Sequence, residues 1–463
     1  MRKVVAPLVF LLLSESSLGA EPPRVKVLND PVTRTVIVGR EYSFDLGPFH
    51  TSFRVPGDLS IEAVLDRGRG LLGMVVILGV AWVCSANRRA ISRRVVLWGL
   101  LSQWVFALLV LRVPIAQEAL KVTGNGVKAV LDCALEGARF VFGKSLVDAD
   151  GPAGFVFAFR VLPTVIFVSA LFAVLYHLGV MQRIVRGLAL LMARTMGTSG
   201  AESLDVAASL FLGQTEAPLT IQPYLSRLTN SELLTVMTAG MAHVSGGVMA
   251  AYFAFGVEPR HILTAVLMTA PGAILLSKIL VPETGRPETL GQVHINKARP
   301  DANVLDAAAR GTRDGLYLAL NIAAMLIAFL GLIALVDKGL ARAGTSLEDL
   351  FGLALAPVAY LLGVSWSDCR AVGGLLGTRT VLNELIAYAQ LGELQGQLTE
   401  RSFTVATFAL CGFANISSIG IQLGGIGSLA PDRRADLARL GLRALLAGTL
   451  ANYLSACIAG ILL

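Results

Sequence analysis

The sequence predicts an all-α polytopic membrane protein, and three observations carry that prediction. Of 463 residues, 54% are hydrophobic and only 15% charged, against about a quarter charged in soluble domains, and the mean hydropathy is +0.67. Apolar runs able to cross about 30 Å of hydrocarbon recur at Leu71–Ala86, Val95–Val113, Phe155–Leu178, Leu233–Phe255, Ile262–Ile279, Leu316–Val336, Phe403–Leu423 and Leu440–Leu463. Between them, Arg and Lys fall in short clusters, as orientation in a bilayer requires. That placement accounts for the +7 net charge without a nucleic-acid partner. Cys84, Cys133, Cys369, Cys411 and Cys457 are scattered with no metal-ligand spacing, so they read as small buried hydrophobes.

Taken in order, residues 1–20 have the three parts of a secretory signal: Met1-Arg2-Lys3, the apolar run Val4–Leu13 and the small-residue end Ser17–Ala20. The polar segment 21–69 then starts the mature chain outside the cytoplasm. Arg88, Arg89, Arg93 and Arg94 fill the loop after the first span, and a cytoplasmic place for that loop agrees with the signal. Alternation of eight spans brings the carboxyl terminus back outside. It also puts the cation-bearing stretches Gln182–Arg194, Lys278–Arg313 and Pro431–Arg443 in the cytoplasm.

Residues 70–152 hold two spans and, over Ala116–Gly143, apolar residues at helical spacing interleaved with Lys121, Lys128, Asp132 and Glu136. That pattern is an amphipathic helix lying at the interface. Two stretches, 201–225 and 350–388, are apolar but interrupted by Gly, Pro and polar clusters, so each is expected to be a helical hairpin entering and leaving on one side. Residues 153–280 then read span, hairpin, span, span. After a cytoplasmic connection over 281–315, residues 316–463 read the same way with opposite orientation. Inverted repeats with paired broken segments point to a transporter with its site near the midplane.

The polar groups inside these stretches are the candidate site. Gln214, Thr215 and Glu216 precede Pro218, which suits the first turn of a half-helix. An amide beside a carboxylate matches the donor and acceptor edge of a nucleobase. Glu384 ends the second polar cluster, Gly377–Glu384, and a carboxylate can accept from two neighbouring hydroxyls, as in a ribose diol. An Arg379–Glu384 ion pair is the structural alternative there. Asn415 and Ser418 share a helix face at i, i+3; polar glue between packed helices is the alternative. His243, in the fourth span, is either a packing residue or a proton carrier.

At these residues the chain resembles the concentrative nucleoside transporter family. The resemblance rests on GQTEAPL at Gly213–Leu219, APGAILLSKILVPET at Ala270–Thr284, NIAAMLIAFL at Asn321–Leu330, GTRTVLNELIAYAQL at Gly377–Leu391 and CGFANISSIGIQLGG at Cys411–Gly425. It runs from about Arg69 to the end of the chain. It implies a homotrimer in the cell inner membrane, each protomer with a scaffold and a mobile transport part that holds both hairpins and broken fourth and seventh spans. It implies nucleoside uptake driven by a co-transported proton or sodium ion, with no cofactor and no catalysis. Carried over by motif, Gln214, Thr215 and Glu216 meet the base with Val248 packed on it. Glu384, Asn415 and Ser418 hold the ribose, and Phe413 lines the pocket. The coupling-ion region maps to Ser209, Leu212, Thr215, Glu216, His243 and Val244. Sodium-coupled members carry Asn where this chain has Ser209, and a hydroxyl where it has His243, so the expectation is proton coupling through Glu216 or His243. A membrane-embedded hydrolase using Glu216 and His243, and a passive nucleoside channel, are the competing readings.

Overall fold

The computed structural model describes residues 24–29, 36–45, 50–55, 61–148, 156–291 and 301–463. The signal-like segment 1–20 lies outside them. Three strands, β1 (Arg24–Asn29), β2 (Val36–Asp45) and β3 (His50–Val55), form an antiparallel sheet in the order β1-β2-β3, with Arg24 opposite Glu41 and Arg40 opposite Val55. This is a β element that the expectation of an all-α chain did not include. Alternation in Glu41-Tyr42-Ser43-Phe44 is its signal in the sequence.

The rest is helical. Two helices, α1 (Ile61–Val83) and α2 (Arg93–Arg112), precede α3 (Pro114–Phe142), which matches the amphipathic helix expected over 116–143 to within a turn. Two series of seven elements follow. The first is α4 (Phe157–His177), α5 (Val180–Met196), α6 (Gly200–Ser209), a 3-10 stretch (Ala217–Arg227), α7 (Asn230–Ala242), α8 (Gly246–Ala254) and α9 (Pro259–Leu280). The second is α10 (Val304–Leu340), α11 (Leu347–Leu361), α12 (Cys369–Val381), α13 (Glu384–Glu393), α14 (Glu400–Leu410), α15 (Ile416–Leu429) and α16 (Arg434–Leu462). Each series has a long helix, a shorter one, a broken pair, a second broken pair and a final long helix.

Among the described residues, six helical stretches are long and apolar enough to cross a membrane, and Gly68–Val83 and Ile416–Leu429 are shorter apolar helices. The first expected span is short because only the second half of α1 is apolar. The seventh is short because it stops at Leu410 and restarts at Ile416. Residues 350–388 are not one hairpin: α11 is a separate helix packed antiparallel on α12, and the break falls later, at Leu382–Asn383. Gly352, Gly373 and Gly377 make that packing close, since a Cβ at Gly373 would sit 2.8 Å from Gly352 O. The connection 281–315 is also partly helical, because α10 begins at Val304 with its amino end capped by Asn303.

Burial divides the helices. The apolar stretches of Asn230–Ala254 and Pro259–Leu280 are 94% and 89% buried, whereas Arg93–Val110 and Val304–Leu340 are 22% and 12% buried. The inner helices are therefore enclosed by the rest of the protein, and the outer ones leave apolar surface free. Outer α4 and α10 join through Gly311 and Gly315, one turn apart, whose missing side chains let α10 approach Ser169 O and Ile166 of α4. Helix α5 lays Met181, Val185, Ala189, Met192 and Met196 inward and leaves its arginines outside. Ser199 and Thr229 close capping boxes with Glu202 and Glu232 at the starts of α6 and α7. Between these starts, buried Lys278 reaches Glu202 at 2.7 Å, Glu283 at 3.4 Å and Ser231 Oγ at 3.0 Å.

Candidate functional site

Four helical segments restart in the protein interior, and each restart follows from a local residue. Ser245 accepts from Val248 N at 3.4 Å and starts α8; Asn383 accepts from Ile386 N at 2.9 Å and starts α13; Asn415 accepts from Ser418 N at 2.9 Å and starts α15. The fourth, the 3-10 stretch at Ala217, has Pro218 in its first turn. Glu216 folds back there so that Gly213 N donates to its carboxylate at 2.9 Å. The expected α-helical half at Pro218 is thus a 3-10 run, because Pro223 removes a further amide donor.

The interruptions meet. Phe413 N donates to His243 O at 3.2 Å, joining the two broken long segments, and Gly246 N donates to Phe211 O at 3.0 Å, joining α8 to the turn after α6. A chain of side chains runs through the junction. Gln422 Nε2 donates to Gln214 Oε1 at 3.2 Å, Gln214 Nε2 donates to Ser418 Oγ at 3.1 Å, and Asn415 Nδ2 donates to Glu384 Oε2 at 3.2 Å. Tyr252 OH donates to the other Glu384 oxygen at 3.4 Å. Gly240 makes room for it, since a Cβ there would come within 2.9 Å of Gln214 Cβ. Gln214, Glu384, Asn415 and Ser418 are all buried, as is Val248, and Phe413 is half-buried. Thr215 packs its methyl on Gly425 of α15.

Behind this chain lies a fastening that the sequence did not reveal. Arg379, fully buried on α12, donates to Ala409 O at 3.0 Å, Gly412 O at 3.4 Å and Asn452 Oδ1 at 2.5 Å. Asn452 Nδ2 donates in turn to Ala242 O at 2.8 Å and Cys411 O at 2.5 Å. Arg379 makes no hydrogen bond to Glu384: it neutralises the carbonyl-bearing end of α14, where a cation is favoured, while Asn452 serves the end of α7. Glu384 keeps its oxygens for Tyr252 and Asn415.

The residues expected to form the coupling-ion region, Thr215 aside, lie apart from the chain. Glu216 is exposed and lines a separate cavity with Leu212 and Ser245. His243, at the end of α7, shares a 2.8 Å hydrogen bond through Nδ1 with Ser209 Oγ, while its Nε2 is buried without a partner. Its neighbour Val244 is fully buried. One turn before Ser209 on the same face of α6 is Asp205, 1% exposed, with both carboxylate oxygens unbonded. Asp205 was missed in the sequence. Its signal is an acid inside the small, apolar run Gly200–Ser209.

A repeated helical fold of membrane-length segments, with buried polar groups at paired breaks, defines a multi-pass membrane transporter. The comparisons narrow that class. Residues 72–145 match the model described as Na+ dependent nucleoside transporter N-terminus, 158–258 the one described as nucleoside recognition, and 261–460 the Na+ dependent nucleoside transporter C-terminus. The chain is 43% identical over 399 residues to the uncharacterized transporter YutK of Bacillus subtilis, covering 84% of this chain and 98% of the relative. It is 38% identical over 406 residues to the nucleoside permease NupC of Helicobacter pylori, covering 84% and 96%. The solved structure of CNTnw in an inward-facing substrate-bound state superposes with a TM-score of 0.82 at 39% identity, over 85% of this chain and 98% of that one. The chain belongs to the concentrative nucleoside transporter family. Its relatives are transporters and not enzymes, which removes the hydrolase reading.

Proposed function

We propose that this protein takes up nucleosides across the cell inner membrane by cation-coupled symport with alternating access. The observation that carries the reading is the polar chain Gln214–Ser418–Asn415–Glu384, drawn from two helical breaks and the turn after α6. Its amide end suits a base edge and its carboxylate end a ribose diol. Thr215 flanks the base, Glu216 reaches it only by turning from the separate cavity that it lines, Val248 and Phe413 supply apolar walls, and the interrupted segments act as re-entrant hairpins. The inner helices then form the moving transport part and the outer ones a scaffold. The free apolar surface of α2 and α10 is open to lipid and to the homotrimer that the family resemblance implies, and the placement of cations between spans sets both termini outside the cytoplasm.

Protons, rather than sodium, are the coupling ion in this reading. Ser209 and His243 face each other where sodium would need oxygen ligands. Asp205 adds a buried acid that is costly unless it carries a proton or holds a cation. Glu216, His243 and Asp205 are the candidate proton-bearing groups, and Leu212 and Val244 belong to the same region. The test is labelled uridine and adenosine uptake into proteoliposomes under separately imposed sodium and proton gradients. Accumulation under the proton gradient alone is expected. Equilibration without accumulation under either gradient supports a passive channel instead.

A further inference from the structure

Away from the polar chain, α4, α5 and the start of α10 enclose a cavity of about 510 Å³ with the turn after α6. That is within the usual range for a small-molecule site. It lies at the carboxyl end of α4 and the amino end of α10, which the cation distribution puts on the cytoplasmic side. Its lining is aromatic on one side, with Phe172, Tyr176 and Phe211, and acidic at the turn, with Glu216.

Three of its lining residues carry polar atoms that are hidden from solvent and bonded to nothing: Tyr176 OH, His177 Nδ1 and Gln182 Oε1. Buried polar atoms are seldom left unpaired, because each costs the free energy of its lost water. Gln182 shows that the spot is built and not loose, since its Nε2 donates to Tyr176 O at 2.6 Å while its Oε1 stays free. At the mouth, Arg310 holds Asp301 through two bonds of 2.7 and 3.0 Å and reaches Asp314 at 3.4 Å. Glu216, Asp301 and Asp314 therefore outnumber the arginine among the lining residues. The field disfavours an anion.

We propose that this cavity is a second nucleoside-binding site, a cytoplasmic holding site made by Tyr176 and Gln182 of the α4–α5 corner together with Glu216. The inference rests on the transporter reading above. Aromatic faces take the base, a phenol and an amide oxygen complete its hydrogen bonds, and the carboxylate excess rejects phosphorylated nucleosides. Glu216 sits two residues after Gln214, so one short turn serves the polar chain on one side and the holding site on the other.

The test uses the full-length protein in proteoliposomes, with uridine KM measured separately from the cytoplasmic and the outer face. Tyr176→Phe removes an oxygen that bonds to nothing in the protein, so a merely structural role predicts equal or greater thermal stability and unchanged KM. A ligand role predicts a rise of about fivefold in cytoplasmic-face KM, with the outer-face KM within about twofold of the starting value. Gln182→Leu should act in the same direction. Uridine monophosphate should compete from the cytoplasmic face at least about tenfold more weakly than uridine. Normal transport with unaltered cytoplasmic KM in both variants overturns the holding site alone. No uridine transport by the unaltered protein overturns the transporter reading and this inference with it.

Discussion

Arg379 and Asn452 share a 2.5 Å hydrogen bond at the place where both broken helices end, and between them they bond four carbonyl oxygens of those ends. A guanidinium in the interior is tolerated because the carbonyl end of α14 supplies negative potential on the spot. The pair thus fixes the geometry of the breaks and leaves the Glu384 carboxylate to Tyr252 and Asn415.

Asn452→Ala should therefore destabilise the protein by about 3 kcal/mol, since it strands two carbonyls and removes a partner from a buried charge. Thermal unfolding in detergent should show a midpoint lower by roughly 5 °C or more. Asn452→Asp should fare little better, because it loses the Nδ2 donor to Ala242 O and Cys411 O. An unchanged midpoint for both would mean that the breaks are held by other contacts.

Glu384 accepts from Tyr252 and Asn415 and sits at the start of α13, with no cation bonded to it. Glu384→Gln preserves size but turns one acceptor into a donor facing donors. Uridine kcat/KM should fall at least about 100-fold, some 2.7 kcal/mol, with the thermal midpoint little changed. Full uptake by the variant would remove Glu384 from the site.

The ion pair of Lys278 with Glu202 tests a different point, since the side chains are 7% and 1% exposed. Removing Glu202 leaves buried Lys278 with only the longer contact to Glu283 and the hydroxyl of Ser231, so Glu202→Ala should cost about 2 to 3 kcal/mol. The double replacement Glu202→Leu with Lys278→Met should cost much less than the sum of the two single changes. Additive losses measured by thermal unfolding would show that the pair acts through its separate hydrogen bonds.

What was legible in the sequence followed from hydropathy and charge, which depend on composition over long stretches. The amphipathic helix at 116–143 and the repeated order of elements were visible that way, as was the cluster around Gln214. The exact breaks were not. Ser245 and Asn415 are ordinary helix-starting residues, but inside apolar runs their capping role shows only when a partner segment occupies the gap. The first three turns of α10 fall in the predicted connection because Asp306, Arg310, Arg313 and Asp314 break the apolar pattern while leaving helix formation intact. Asn452 and Arg379 lie 73 residues apart in the chain, and no local pattern pairs them. Asp205 looked like one acid in a small-residue run, and only its unbonded oxygens mark it.

Those oxygens lead to the prediction about coupling. Asp205 and Ser209 are one turn apart on α6, and Ser209 joins His243 at the end of α7, so the three lie along the junction between the first hairpin and the fourth segment. A proton taken up there would change the charge of a dry interface that must move if access alternates. Replacing sodium with choline should leave uridine uptake nearly unchanged, and a protonophore should abolish accumulation. Asp205→Asn removes the ionisable group while keeping its shape. It should leave downhill exchange of labelled uridine within about threefold of normal while losing accumulation driven by an acidic exterior. Uphill uptake retained by Asp205→Asn would leave Glu216 and His243 as the proton carriers, and strict sodium dependence of the unaltered protein would end the proton reading altogether.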